Sequence, residues 1–307
     1  MIDKLGNRMK EQYENRSRTL LPRRTYTIIR IDGKAFHTYT RGLKRPFDSD
    51  LMLDMDTTAA YLCKNIMGAK MAYVQSDEIS LVLTDFDNIG SQAWFDNNVQ
   101  KMASVSASMA TASFNALRLS RVISSAEIDP FKYKNGLPLS KVFDEVKSDM
   151  LVDLGKQSMA MFDARVFQIP ELTEVCNYFI WRQQDATRNS ISSVAQSLYS
   201  HKELEGKSSD EKQEMIFQKG INWNDYSYRE KRGGVIGKVY YIDGVQSDVI
   251  FIGDSNTAYM RTVDADGQID LVEVGKDAVI RSKWERIETP IFTQNTLFLK
   301  ELIPLNL

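Results

Sequence analysis

The chain has 307 residues, of which 43% are hydrophobic and 26% charged, so it can form one large domain or two smaller ones around a sizeable core. Its net charge of −2 gives no sign of nucleic-acid binding, and a polyanion would have to meet a local basic patch. Its two cysteines, Cys63 and Cys176, exclude a disulfide framework and a cysteine metal cage.

The first predicted element is a short polar helix over residues 2–15. This segment is charged and lacks the apolar core of a signal peptide. No apolar run in the chain is long enough to span a bilayer. Together with the small number of cysteines, these features predict a cytoplasmic protein without membrane contact.

A strand rich in β-branched residues is predicted over residues 25–31, "TYTIIRI". It ends abruptly in a carboxylate and a glycine, Asp32 and Gly33. The stretch that follows, "KAFH", carries two side chains that can bind an anion, Lys34 and His37.

A basic loop, "RGLKRPF", leads to a helix that is predicted to begin near Asp48 or Ser49, since both are good N-caps. Its apolar residues recur at helical spacing, and Gly68 is its expected C-terminal cap. Two apolar runs, 70–74 and 79–83, then flank "QSDE". They predict a β-hairpin with polar residues at its tip.

A second long helix is predicted over "QAWFDNNVQKMASVSASMATASFNALRLS". Residues 121–160 have mixed character and are interpreted as an insertion. A further strand, "MFDARVFQI" at 161–169, precedes a helix that opens at Pro170 and is expected to break near Thr187. From about residue 235 the sequence changes to short strands with Asp-Gly turns at 243–244 and 266–267. The predicted division is a catalytic part, 1–235, and a β-rich C-terminal region, 236–307.

The first half therefore reads strand, helix, strand, strand, helix, strand, which is the split βαβ or ferredoxin-like arrangement of an α+β fold. This order places the end of the first strand beside the hairpin tip, so Asp32 and Asp77 are expected to be neighbours. Paired carboxylates suit Mg²⁺, and two such ions activate an attacking oxygen and stabilise a leaving pyrophosphate. Gly33 would let the backbone approach a metal or phosphate, and residues 34–37 would offer it N–H groups. An ordinary solvated turn is the alternative at each position.

Several motifs, taken in order, resemble the tRNA-His guanylyltransferase family and its tRNA-repairing relatives, the 3′-to-5′ nucleotide polymerases. They are "RIDGKAFH", a basic loop before proline, "AYVQSDEISLVL", "FDARV", "YFIWRQQDA", "EKQEMIF" and "INWNDYSYREKRGGVI". The likeness runs from about residue 5 to 240. It implies a polymerase palm domain, two Mg²⁺ ions, GTP or ATP as a substrate, tRNA as a partner and a homotetramer.

The resemblance also implies roles for individual residues. Asp32 and Asp77 match the metal-binding carboxylates, the Gly33 carbonyl matches a further metal ligand, and Glu78 is taken with the two aspartates as catalytic. The residues matched to nucleotide binding are Asp32, Gly33, Lys34, Ala35, Phe36, His37, Arg45, Ser76, Asp77, Lys101, Lys212 and Asn222.

The chain departs from the eukaryotic members at two places. Residues 187–190 read Thr-Arg-Asn-Ser where those members have His-Ile-Asn-Asn, and Asn98 replaces an arginine. The function expected is therefore template-dependent repair of tRNA 5′ ends. ATP or GTP would activate the RNA 5′-phosphate, and the 3′-hydroxyl of an incoming nucleotide would then attack it.

Three alternatives stay open at this point: strict guanylylation of tRNA-His, a palm-domain nucleotide cyclase, and a non-catalytic RNA-binding module. A cyclase needs no RNA, and a pure binding module has no need of clustered carboxylates facing a polyanion. An RNA-binding face is expected from three groups of basic residues: Arg16, Arg18, Arg23 and Arg24, then Arg41, Lys44 and Arg45, then Arg229, Lys231 and Arg232.

Overall fold

The computed structural model describes residues 3–125, 159–242, 248–251, 258–263, 269–273 and 279–306. Most of the predicted insertion and the predicted turns at 243–244 and 266–267 lie outside these residues. None of the helices in the described ranges is long and apolar enough to cross a bilayer.

The elements of the first part follow the predicted order. In chain order they are α1 (Lys4–Met9), β1 (Tyr26–Gly33), α2 (Phe36–Tyr39), α3 (Ser49–Asn65), β2 (Ala69–Gln75), β3 (Glu78–Leu83), α4 (Val99–Ser125), β4 (Phe162–Ile169) and α5 (Leu172–Leu198). The sequence strand, helix, strand, strand, helix, strand is confirmed by β1, α3, β2, β3, α4 and β4.

The remaining elements follow α5 in the chain. They are α6 (His201–Leu204), α7 (Ser209–Gln218), α8 (Tyr228–Arg232), β5 (Gly234–Ile242), β6 (Asp248–Phe251), β7 (Ala258–Val263), β8 (Ile269–Glu273), β9 (Ile280–Ile287) and α9 (Leu297–Leu302). Among them, α7 begins with a capping box formed by Ser208 and Glu211.

Three boundaries differ from the sequence-based expectations. The long helix predicted over residues 92–120 begins later, at Val99, because Phe95, Asp96 and Asn97 have positive φ values that interrupt a helix. The predicted break near Thr187 is wrong, because α5 is continuous and the Thr187 hydroxyl donates to the Gln183 carbonyl, 3.0 Å away. The predicted N-terminal helix is also shorter than 2–15. After Met9 the chain continues as a π turn over Lys10–Glu14 and a 3₁₀ turn over Asn15–Ser17.

The strands form an antiparallel sheet in the order β4-β1-β3-β2-β5. β9 pairs with β5 along Val235–Ile242, and the last residues of β5 also pair with β6, which continues through β7 to β8. The two faces of the central strands are both apolar because helices cover both. α3 and α4 pack on the face of Ile29 and Ile31, while α5 packs on the face of Ile28.

The C-terminal segment closes the core of the first part. Residue 235, the predicted domain boundary, lies inside β5, and Val74 of β2 pairs with Gly234. Phe292 is completely buried against the α5 face of the sheet, and the Tyr26 hydroxyl donates to the Pro304 carbonyl at 2.9 Å. The sheet is therefore continuous across the predicted boundary.

Candidate active site

Carboxylates converge at the end of the sheet where β1 finishes and the β2–β3 hairpin turns. Asp32 of β1 lies directly opposite Glu78 of β3 on one side and Asp163 of β4 on the other. Asp77 lies in the hairpin turn, where Ser76 has a positive φ of 46°. Asp32 and Asp77 line the same cleft, so the predicted neighbourhood of the two residues is confirmed.

Gly33 is required for this close approach. A Cβ atom at this position would lie 2.3 Å from Cδ2 of Phe36 and 2.9 Å from Oδ2 of Asp77. Real side chains do not tolerate such distances, so only glycine lets the Asp77 carboxylate and the Phe36 ring both contact the backbone here. The glycine thus sets the shape of the site.

The electrostatics of this end of the sheet favour a cation. The pKa of Asp77 is raised to about 6, mainly by burial and also by the negative charges of Asp32 and Glu78, while hydrogen bonds from its own backbone N–H and from Ser76 act to lower it. A bound cation would remove this penalty. Within the described residues no group of three or more His, Cys, Asp or Glu side chains is placed to hold a metal. Asp32 and Asp77 nevertheless bring two carboxylates to one cleft, and this donor set suits Mg²⁺, which commonly takes one or two carboxylates with water and substrate phosphate.

Glu78 has a partner that the sequence did not predict. Arg182 of α5 donates to both of its carboxylate oxygens, from Nε at 2.8 Å and from Nη2 at 2.7 Å. Both side chains are less than one-tenth exposed. Arg182 also pairs with Asp185 at 2.9 Å and lies over the Trp181 ring, 4.3 Å from its centroid. Glu78 is therefore held towards α5, and this ion pair fixes the hairpin against the helix.

The cleft over the carboxylates has a volume of about 480 Å³ and is bounded by β1, the hairpin and α5. Arg30 and Asn189 line it, and Asn189 is the residue retained from the family's His-Ile-Asn-Asn run. Lys212 lies at its rim, since its Nζ donates to the hydroxyl of Ser192, a lining residue, at 3.3 Å. A smaller cavity of about 130 Å³ shares Ser76 with the cleft and reaches the loop beyond Arg45 at Pro46.

Some groups of residues 34–37, which follow Gly33, make contacts within the chain. The Lys34 N–H donates to the Met161 carbonyl at 2.8 Å, and Ala35 adopts a left-handed conformation that turns the chain into α2. Phe36 is buried, with its ring 5.8 Å from that of Phe114. The His37 ring lies 3.1 Å from the Thr38 hydroxyl. The Lys34 amide and the Phe36 ring therefore already have partners within the chain.

Two residues matched to nucleotide binding lie away from the cleft. Lys101 is in the first turn of α4, at the end of the sheet opposite to Asp77. It lies there because β3 runs away from Asp77 and α4 begins only after the end of β3. The Lys101 Nζ is 4.6 Å from the centroid of the Phe95 ring. Asn222 accepts from the Asn224 N–H at 3.0 Å and lines a separate cavity beside α7. A match of sequence motifs gives no distances between residues, so the sequence alone did not reveal that Lys101 and Asn222 lie away from the cleft.

The expected RNA-binding face is smaller than the sequence suggested. The Arg229 side chain is only 9% exposed and donates to Asp56 at 2.8 Å. Arg23 donates to Asp85 at 2.7 Å, and Lys231 donates to the Asn224 carbonyl at 2.5 Å. These three side chains stabilise the fold. The other basic residues of the three groups are left as candidates for RNA binding.

Comparison with known proteins gives consistent results. A profile of the family described as Thg1, tRNAHis guanylyltransferase, matches residues 6–170. A bacterial tRNA(His) guanylyltransferase (Thg1)-like protein, solved in complex with ATP, is 36% identical, with 98% of this chain and all of that chain covered and a TM-score of 0.70. A bacterial tRNA(His) guanylyltransferase (Thg1)-like protein solved in complex with GTP is also 36% identical, with a TM-score of 0.66 and with 98% of this chain and 99% of that chain covered. The tRNA(His) guanylyltransferase of Eremothecium gossypii is 28% identical over 257 residues, 76% of this chain and 93% of that protein.

Proposed function

Since the chain belongs to the tRNAHis guanylyltransferase family, we propose that it is a nucleotidyltransferase that adds nucleotides to the 5′ end of tRNA in the 3′-to-5′ direction. The observation that carries this proposal is the junction of Asp32, Gly33 and Asp77 at the floor of a polar cleft. The similar bacterial protein was solved with ATP and with GTP, which supports both nucleotides as substrates here.

The reaction has two steps. An oxygen of the RNA 5′-phosphate attacks the α-phosphorus of ATP or GTP, and pyrophosphate leaves. The 3′-hydroxyl of the incoming nucleotide then attacks the activated 5′-phosphate, and the nucleoside monophosphate leaves. In both steps negative charge develops on oxygens of the leaving group, so positioned positive charge is the main catalytic requirement.

Asp32, Asp77 and the Gly33 carbonyl would hold Mg²⁺, which neutralises phosphate charge and lowers the pKa of an attacking hydroxyl when bound. Asp32 and Asp77 orient the reacting groups, and Ser76 supports Asp77 through a hydrogen bond. Glu78 and Arg182 hold the hairpin against α5, so we assign Glu78 to positioning of the site. Lys212 at the cleft rim is placed to meet a phosphate.

We interpret residues 1–235 as a polymerase palm, which the strand order and the carboxylate positions support. The β-rich region 236–307 completes this palm through β5 and the buried Phe292. A cytoplasmic location is in keeping with two free, buried cysteines.

A homo-oligomer is part of the proposal. If Lys101 binds nucleotide as its match to the family implies, it must do so in another copy, because it lies at the far end of its own sheet. Light scattering with size-exclusion chromatography will give the mass in solution. A strictly monomeric chain with full activity would remove Lys101 from the nucleotide site.

We favour templated 5′-end repair over strict guanylylation because the segment that replaces the histidine motif has other contacts. Thr187 bonds within its own helix, Arg188 pairs with Asp185 at 3.1 Å, and the Ser190 hydroxyl accepts from Trp223 at 3.0 Å. None of these side chains supplies an imidazole. Base pairing with the opposite strand can select the nucleotide instead.

A competition tests this choice. The protein is incubated with Mg²⁺, labelled nucleotides, a tRNA that lacks its first nucleotide and an intact tRNA-His that carries a 5′-phosphate. We expect addition to the truncated tRNA to dominate and the added base to follow the opposing base when that base is changed. Preference for the intact tRNA-His, or addition regardless of the opposing base, would contradict the repair function.

A further inference from the structure

Two arginines face each other beside the carboxylates. Arg30 of β1 lies directly opposite Arg165 of β4, and Ser80 of β3 flanks Arg30 on the other side. Opposite residues of an antiparallel pair point to the same face, with Cβ atoms about 5 Å apart. This row lies two residues from Asp32, so it is on the face of the sheet that carries Asp32 and Glu78.

Within the described residues, no carboxylate pairs with either arginine. This differs from their neighbour Arg182, which binds both Glu78 and Asp185. In the part of the chain that the structure describes, the buried Nε atom of Arg30 has no hydrogen-bond partner. Like charges directly opposite each other destabilise a sheet, and a buried donor without a partner adds a further cost. An anion bound between the two guanidinium groups would relieve both.

The location of the pair indicates which anion. Arg30 lines the same cleft as Asp32 and Asp77. Two residues along a strand span about 7 Å, so a phosphate held by the arginines would lie beside one held at the carboxylates. β4 is the edge strand of the sheet, and Arg165 is exposed there, so a polymer can reach the pair from solvent. The nucleotide triphosphate has other candidate contacts, at Lys212 by the cleft rim and at residues 33–37.

We propose that Arg30 and Arg165 bind the 5′-terminal phosphate of the RNA acceptor. The planar guanidinium group suits bidentate binding of phosphate oxygens, and two such groups side by side match a terminal phosphate better than a bridging one. This inference rests on the proposed function, because it assigns the RNA end to one flank of the same site.

The test compares two acceptor-stem RNA hairpins that differ only in a 5′-phosphate or a 5′-hydroxyl. Their affinities are measured by fluorescence anisotropy for the wild type, Arg30→Gln, Arg165→Gln and Arg30→Lys. The matched control is Arg8→Gln, which removes one exposed charge from α1. ATP affinity in Mg²⁺ is measured in parallel to separate RNA phosphate from nucleotide phosphate.

We expect the wild type to prefer the 5′-phosphate by about tenfold or more, the size of a charge-assisted hydrogen bond. Arg30→Gln and Arg165→Gln should bring this ratio close to one, while ATP affinity and binding of the 5′-hydroxyl RNA change by less than about threefold. Arg30→Lys should retain part of the preference, and Arg8→Gln should retain all of it. Melting curves check folding, and Arg165→Gln, at an exposed position, decides the matter if Arg30→Gln does not fold.

An unchanged ratio in folded Arg165→Gln and Arg30→Gln, or a wild type that does not distinguish the two RNAs, would overturn the inference. Loss of ATP affinity with the ratio intact would also overturn it, since the arginines would then bind the nucleotide. Nucleotide addition by the wild type is scored separately. Addition with an unchanged ratio refutes only this inference, whereas a phosphate preference without addition refutes the proposed reaction and leaves the phosphate site standing.

Discussion

Replacement of Gly33 by alanine tests the geometry of the site directly. The added Cβ would lie 2.3 Å from Cδ2 and 2.8 Å from Cγ of Phe36, and 2.9 Å from Oδ2 of Asp77. The Phe36 ring is buried and lies 5.8 Å from the Phe114 ring and 5.6 Å from the Phe162 ring, between centroids, so its movement would disturb this packing. Overpacking of this kind costs about 1–3 kcal/mol. If Asp77 yields instead, a displacement of about 1 Å would lower activity by about 100-fold.

The assay combines urea unfolding with nucleotide incorporation at saturating Mg²⁺. Gly90→Ala is the matched control, because its Cβ would lie 3.4 Å from the nearest atom, an ordinary contact, and we expect a change in stability within about 0.5 kcal/mol. Gly33→Ala should lose about 1–3 kcal/mol of stability, about 100-fold in activity, or both. A Gly33→Ala protein that unfolds like the control and retains activity within about threefold would refute the close approach of Asp77 and Phe36 to this backbone.

Three further predictions concern the charges around the site. Because burial raises the pKa of Asp77 to about 6, the folded state binds a proton more tightly than the unfolded state. Without metal, the free energy of unfolding should therefore fall as pH rises from about 4 to about 6. Asp77→Asn should remove this contribution to the pH dependence, which is about 1 kcal/mol per pH unit at most. Arg182→Met should destabilise the chain by about 3–5 kcal/mol in urea unfolding, and adding Glu78→Gln should restore part of the loss. The control is Asp50→Asn, which breaks the exposed 3.2 Å pair with Arg121 and should cost less than about 1 kcal/mol. Binding of tRNA in a filter assay should weaken steeply as salt rises, and a salt-independent affinity would argue against contact with several RNA phosphates.

The junction of Asp32 and Asp77 could be predicted from the sequence because it follows from local patterns. An apolar strand that ends in Asp-Gly and a hairpin with a polar tip place the two carboxylates at one end of the sheet once the order of elements is known. The requirement for Gly33 also follows, although the atoms that exclude a side chain there, from Phe36 and Asp77, are visible only in the structure.

The pairing of Glu78 with Arg182 could not be predicted in this way. The two residues are 104 positions apart, and their contact depends on which face of α5 meets the sheet. The spacing of Arg182 and Asp185, three residues apart on a helix, was the available signal, but it indicates only a local ion pair. The positions of Lys101 and Asn222 and the opposition of Arg30 and Arg165 depend on strand register and helix direction, which motif order does not specify.

The most direct test of the account is templated nucleotide addition by the wild type, Asp32→Asn and Asp77→Asn. The substrate is a tRNA lacking its first nucleotide, with labelled nucleotide, ATP and Mg²⁺, and melting curves confirm that each protein is folded. We expect the wild type to add the nucleotide that pairs with the opposing base and each variant to lose at least about 100-fold in rate. Addition by either folded variant at a rate near that of the wild type, or no addition by the wild type, would contradict it.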